Sequence, residues 1–219
     1  GQDIIGEGGT DDDVFAETIT LIAGGSIGQN AGTAIGVDAS EAVNADADDA
    51  VIFLNADNAV TGLPLGTIDG TTITLDATDK AITDANDAAV NVIGSSLAIT
   101  EAAGIGAEDD AIETNTGTLT FVNTAGVVNI DNTGPLNAAS GTNNTGTDVI
   151  IVTSSPLTVP AAGITAAGDI TLQATDDGGD DDHLRIDGDV ESTGDGTISL
   201  RGGTDVLINA VVTSADGTV

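Results

Sequence analysis

Apolar residues come in short runs, and within the longer runs they alternate with polar ones. Thr18-Ile19-Thr20-Leu21 and Thr72-Ile73-Thr74-Leu75 have the period of two that turns one strand face inward and the other outward. Between the runs sit Gly, Asp, Asn and Ser, which tolerate the backbone angles of tight corners. The last stretch is the clearest. Gly196-Thr197-Ile198-Ser199-Leu200 is followed by Gly202-Gly203-Thr204-Asp205, Val206-Leu207-Ile208, Val211-Val212 and Ser214-Ala215-Asp216, and the phrase resumes at Gly217-Thr218-Val219. The separation from Ile198 to Val219 is 21. Three short strands and their corners within such a period predict one turn of a three-sided solenoid.

The same turn recurs upstream. Gly168-Asp169-Ile170-Thr171-Leu172 matches Gly196-Thr197-Ile198-Ser199-Leu200 at a separation of 28, which is 21 plus seven. The tract Asp176-Asp177-Gly178-Gly179-Asp180-Asp181-Asp182 supplies the excess and is expected to leave one corner as a loop. Val149–Val152, Leu157–Val159 and Ile164-Thr165 form a further turn. A longer echo links Ile19-Thr20-Leu21 and Ile35-Gly36-Val37 with Ile73-Thr74-Leu75 and Val90-Asn91-Val92 at separations of 54 to 55, and is expected to span whole turns with insertions. The predicted fold is all-β: a parallel β-solenoid with a turn length of about 20–22 and acidic loop insertions, occupying residues 1–219 as one segment. Ile19, Leu21, Ile73, Leu75, Ile170, Leu172, Ile198 and Leu200 are expected to point inward.

Composition narrows the interior. Phe15, Phe53 and Phe121 are the only aromatic residues, so the bore must be filled by Ile, Val, Leu and Ala. Only four Pro interrupt the ladder, and an apolar fraction of 40% is too high for a disordered acidic tail. The net charge is −33, with Lys80, Arg185 and Arg201 as the only basic residues. Such a surface repels nucleic acid and anionic membranes, and its self-repulsion is screened at high ionic strength. No apolar stretch approaches membrane-spanning length, and no Cys exists to form a disulfide. Gly8-Gly9-Thr10-Asp11 running into Val14-Phe15 echoes Gly202-Gly203-Thr204-Asp205 running into Val206-Leu207, at a separation of 194. That echo, an opening on Gly and the absence of Met suggest a window onto a longer tandem array.

Candidate chemistry is confined to carboxylates. Asp11-Asp12-Asp13, Asp46-Ala47-Asp48-Asp49, Glu108-Asp109-Asp110 and the tract at 176–182 each cluster hard oxygens of the kind calcium takes. The best candidate ligands are Asp176, Asp177, Asp180, Asp181 and Asp182, followed by Asp11 and Asp13. Gly8 to Phe15 resembles one degenerate copy of the calcium-binding nonapeptide of RTX proteins, with Asp11 where that pattern has Gly and no second copy following. His183 stands alone, so zinc lacks a ligand set. Three basic residues, almost no aromatic platform for a sugar ring and no nucleophile or phosphate motif argue against an enzyme. Thr18-Ile19-Thr20, Thr72-Ile73-Thr74 and Thr118-Leu119-Thr120 do not recur at every turn and are expected to be ordinary strand exteriors. Asn143-Asn144-Thr145 is an isolated glycosylation sequon.

The stretches Thr18 to Ile27, Gly168 to Ala174 and Gly196 to Ala210 resemble repeats of large bacterial surface proteins. These are the filamentous-haemagglutinin-like and autotransporter-passenger-like β-helices and the giant β-strand-repeat surface proteins. The likeness is clearest over 18–130 and 168–219. It implies a right-handed parallel β-helix in an extracellular fibre, stalk or coat, assembled head to tail with copies of itself or with further repeats. The competing expectation is an adhesin that binds a glycan or matrix ligand through loops 137–147 and 176–182.

Overall fold

The computed structural model describes residues 1–7, 12–145, 147–178, 181–215 and 218–219. The first strands are β1 (Val14–Ile22), β2 (Ile35–Asp46), β3 (Val51–Asn55), β4 (Leu63–Asp69), β5 (Thr72–Ala77), β6 (Ile82–Asp84), β7 (Val92–Ala102) and β8 (Ile112–Asn123). Then come β9 (Val128–Asn132), β10 (Ala138–Asn143), β11 (Val149–Thr153), β12 (Leu157–Val159), β13 (Ile164–Ala166) and β14 (Ile170–Ala174). β15 (Leu184–Ile186), β16 (Val190–Ser192), β17 (Ile198–Arg201), β18 (Val206–Ile208) and β19 (Val212–Ser214) complete the series. No helix occurs among the described residues. The chain is a β-solenoid of about 9 turns and about 22 residues per turn, with parallel strands stacked turn upon turn.

Three walls form. One runs β3–β5–β7–β8–β10–β13–β16–β19. A second begins β1–β2–β4, continues through the first residues of β7 and β8, and ends β9–β11–β14–β17. β7 and β8 cross the corner between these walls without a break and join them into one 16-stranded sheet. The third wall is the separate sheet β12–β15–β18.

Alternation decides what fills the bore. Ile35, Leu54, Leu75, Ile99 and Phe121 are successive register partners and all are buried. Each such Ile or Leu contributes roughly 1.5–3 kcal/mol by leaving water. The next partner of Phe121 is Gly141, where a Cβ would stand 2.6 Å from the ring and 2.4 Å from the Phe121 carbonyl oxygen. The single buried phenyl therefore fits because the turn above presents no side chain. Of the eight residues expected inward, six are buried, and Leu21 and Leu200 are partly buried against the core.

Polar residues also enter the interior, and the asparagines among them form ladders. Asn123 accepts from the Gly104 N–H at 2.8 Å and donates to Asn143 Oδ1 at 3.1 Å, and Asn143 donates to the Asp148 carbonyl at 3.1 Å. Asn132 Oδ1 accepts from the Thr114 hydroxyl at 2.8 Å and from the Thr116 N–H at 2.9 Å. These ladders satisfy corner groups that burial would otherwise leave unpaired.

Two sequence expectations need correction. Ile19 lies in the β1–β2–β4 wall and Ile73 in the β3–β5–β7 wall, so the longer echo joins different walls and is not a whole number of turns. The segment 137–147 is not a loop, because β10 occupies Ala138–Asn143 within it. The turn expected from Val149 to Thr165 is regular: β9, β11 and β14 pair at a constant separation of 21. The insertion at 176–182 does sit at a corner, where β14 and β17 pair at a separation of 28 while β15 and β18 pair at a separation of 22.

Candidate functional site

The acidic corner between β14 and β15 is built around Asp182. This residue is 1% exposed, whereas Asp176, Asp177 and Asp181 face solvent. Asp182 Oδ2 accepts from the Asp177 N–H at 3.2 Å, and Asp176 Oδ1 accepts from the Gly178 N–H at 2.8 Å. The next turn roofs the corner. A Cβ at Gly203 would lie 2.8 Å from the Asp176 backbone and 2.9 Å from Asp182 Cβ, and the Thr204 N–H donates to the Asp182 carbonyl. Burial pushes the Asp182 carboxyl above its usual range, and the carboxylates of Asp177 and Asp176 push it further.

The other candidate ligands lie elsewhere. Asp13 Oδ2 accepts from the Gly36 N–H at 3.0 Å, far along the rod from 176–182. Asp11 and Asp180 lie outside the described residues. Among the described residues, no three acidic or His side chains converge as a metal site. Two of the remaining clusters are turns. Asp48 and Asp49 have φ of 43° and 64°, and Asp46 Oδ1 accepts from the Asp48 N–H. Glu108 to Asp110 close a turn in which the Ala107 N–H donates to the Asp110 carbonyl.

A different use of aspartate emerges, one the sequence reading missed. Seven aspartates among the described residues each accept from a backbone N–H in the following turn. The pairs are Asp3–Ser26, Asp13–Gly36, Asp38–Val60, Asp57–Thr78, Asp148–Asp169, Asp169–Thr197 and Asp189–Val211, at 2.6–3.1 Å. Asn44 and Asn91 do the same for Thr67 and Glu113. At corners the ladder opens and a donor loses its strand partner, and a carboxylate from the turn before replaces it. The available signal was an Asp or Asn one turn ahead of each corner, which becomes visible only once the turn length is known at every step.

Electrostatics are otherwise sparse. Glu113 is drawn above its usual range chiefly by burial, aided by Asp84, Asp110 and Asp131, and its Oε2 is buried with no partner among the described residues. Burial also raises the Asp131 carboxyl. Asp187 is held low by Arg185, 2.7 Å away, and by Asn209 from the next turn. A concavity of about 910 Å³ follows the corner past Gly104, Gly126, Gly168 and Gly196, rimmed by Glu108, Asp148, Asp169 and Asp195. Asp148 and Asp169 in that rim already serve as inter-turn caps. Comparison with protein families, curated proteins and solved structures finds no match to this chain.

Proposed function

We propose that this chain is a structural rod of an extracellular or cell-surface fibre, joined end to end to copies of itself or to further turns of the same fold. The observation that supports this reading is the contrast between the last turn and the one below it. Val206 and Ile208 are the register partners of Leu184 and Ile186, which are fully buried. Yet Val206 is 40% and Ile208 52% exposed. Leu207 and Val211 add to the same apolar stretch. An open strand edge is a template for another strand. The net charge of −33 opposes side-to-side contact far more than contact at this uncharged stretch. A head-to-tail contact that does not close yields a filament, and a parallel ladder running its whole length makes the filament stiff. The surface location rests on the likeness of the repeats to bacterial surface proteins.

Electron microscopy of the chain at high ionic strength tests this reading. Unbranched filaments are expected, dispersed by Ile208→Asp and retained in Thr158→Asp on a side wall. A monodisperse monomer in sedimentation velocity at every salt concentration overturns it. Denaturing electrophoresis of native material then separates stacked subunits near 21.3 kDa from a longer continuous array.

A further inference from the structure

The wall formed by β5, β7, β8, β10 and β13 differs from the rest of the surface. Two of the Thr-x-Thr runs, at 72–74 and 118–120, stack here two turns apart. Thr72, Ser96 and Thr118 are register partners, and so are Thr74, Ala98, Thr120 and Ser140. A third column holds Val122, Thr142 and Thr165. None of these residues is charged, in a chain with 36 acidic residues. The wall is also indented. A concavity of about 380 Å³ is lined by Thr100, Thr120, Val122, Ser140, Thr142 and Thr165.

The hydroxyls of this groove are unspent. Thr at corners commonly bonds backbone, as Thr61, Thr124 and Thr175 do. In the groove only Thr100 does so, to the Leu75 carbonyl at 3.4 Å. Among the described residues, nothing bonds the hydroxyls of Thr120, Ser140, Thr142 or Thr165. Each can donate once and accept twice. They sit on consecutive turns, so they recur at about 4.8 Å across the strands. A pyranose advances along its chain by a similar distance, and each sugar can therefore meet one turn. The Thr methyls and Val122 supply apolar contact between the polar points, the mixture that ligand grooves use.

We propose that this groove binds an uncharged polysaccharide lying across the strands. An anionic polymer is repelled by the −33 rod. A cationic polymer is drawn to carboxylates elsewhere on the rod, the exposed Glu191 beyond Thr165 among them, whereas the lining of this groove holds none. A neutral, hydroxyl-rich chain is the class left for a groove of free hydroxyls and methyls. The site lies on strands, not on the loop expected at 137–147, and it does not depend on end-to-end stacking.

Affinity electrophoresis of the whole chain through gels containing dextran, mixed-linkage β-glucan, galactomannan or alginate tests the proposal. Retardation by at least one neutral polymer, and none by alginate, is expected. Thr142→Glu should weaken it by about tenfold or more. Thr142→Ser and the distant Thr171→Glu should leave it unchanged. If circular dichroism shows that Thr142→Glu does not fold, Thr165→Glu on the next turn gives the same reading. Absence of retardation by all three neutral polymers overturns the proposal, as does equal retardation by alginate or equal weakening by Thr171→Glu. Self-association lost in Thr142→Glu without any retardation also overturns it, and gives the face to a second copy of the rod.

Discussion

Between Val149 and Ser214 each turn has three strands of three to five residues, and between Val14 and Asn123 single strands run to twelve and carry their pairing round a corner. The difference lies at the corners. In the C-terminal region one corner is a column of small residues in backbone contact. A Cβ at Gly196 would stand 2.2 Å from the Gly168 carbonyl oxygen, and one at Gly168 would stand 2.6 Å from the Thr147 carbonyl oxygen. The strands stop there. In the N-terminal region Gly94 approaches backbone as closely, a Cβ there falling 2.4 Å from the Gly70 carbonyl oxygen, yet Gly94 and Gly117 lie inside β7 and β8, and the strand bends while its ladder persists. The two regions also absorb extra length differently. Register shifts between Ala16 and Thr18, and between Leu75 and Asp76, take up single residues within N-terminal strands. The C-terminal region instead places most of its excess at the corner between β14 and β15, and a smaller part between β16 and β17.

The sharpest way to break this comparison is to add a side chain at each kind of corner. Gly196→Val meets backbone that cannot move aside, and should cost about 3 kcal/mol or more and detach the last turn. Gly117→Ala meets only the Ser95 carbonyl oxygen at 3.3 Å and should change stability by no more than about 1 kcal/mol. Urea unfolding of both variants, with amide exchange in β17 to β19, measures the contrast. Equal costs would mean that the two corners are alike.

Asn123→Ala comes next. It leaves the Gly104 N–H and one Asn143 oxygen buried without partners, at about 1–3 kcal/mol for each lost group. Chemical denaturation of Asn123→Ala reads that cost. Asp189→Ala removes a cap at a solvent-exposed corner, and about 1 kcal/mol is expected. Faster exchange of the Val211 amide should accompany it, and an unchanged rate would show that the cap is not used in solution.

The smallest effect is the pH response. Glu113 and Asp131 have folded values above their ordinary 4.5 and 3.8, so the folded state holds those protons more tightly than the unfolded chain does. Their contribution is therefore largest at low pH and is lost as pH rises through the raised values. Asp187 is lowered below 3.8, and its contribution is present at neutral pH and lost only as pH falls through that lower value. The melting temperature should rise modestly as pH falls from neutral through the raised values of Glu113 and Asp131, and fall in acid strong enough to protonate Asp187. Glu113→Gln should flatten the rise, and Asp187→Asn should lower the plateau. A melting temperature that falls steadily from neutral pH would contradict the assignment.

Local chemistry was legible in the sequence wherever one strand or one turn contains it. Period-two alternation placed Ile73, Leu75, Ile170 and Leu172 inside, and the repeated phrase ending in Leu172 and Leu200 revealed the turn, because both features depend on near neighbours in the chain. The tract at 176–182 was recognisable as an insertion because it interrupts that phrase once. Register was not legible. It is the sum of every corner length before it, so one unrecognised bulge moves all later residues to new partners. That is why Ile19 and Ile73 looked equivalent yet occupy different walls, while Thr72 and Thr118, whose runs do not recur at every turn, share one. It is also why the inter-turn caps were not legible: Asp13, Asp148 and Asp189 each reach a different amide in the following turn. The alternation of residues determined that this chain would form stacked strands around an aliphatic bore. Only the tertiary structure decided which wall each strand joins and what each outward hydroxyl or carboxylate faces, because those depend on contacts a full turn away.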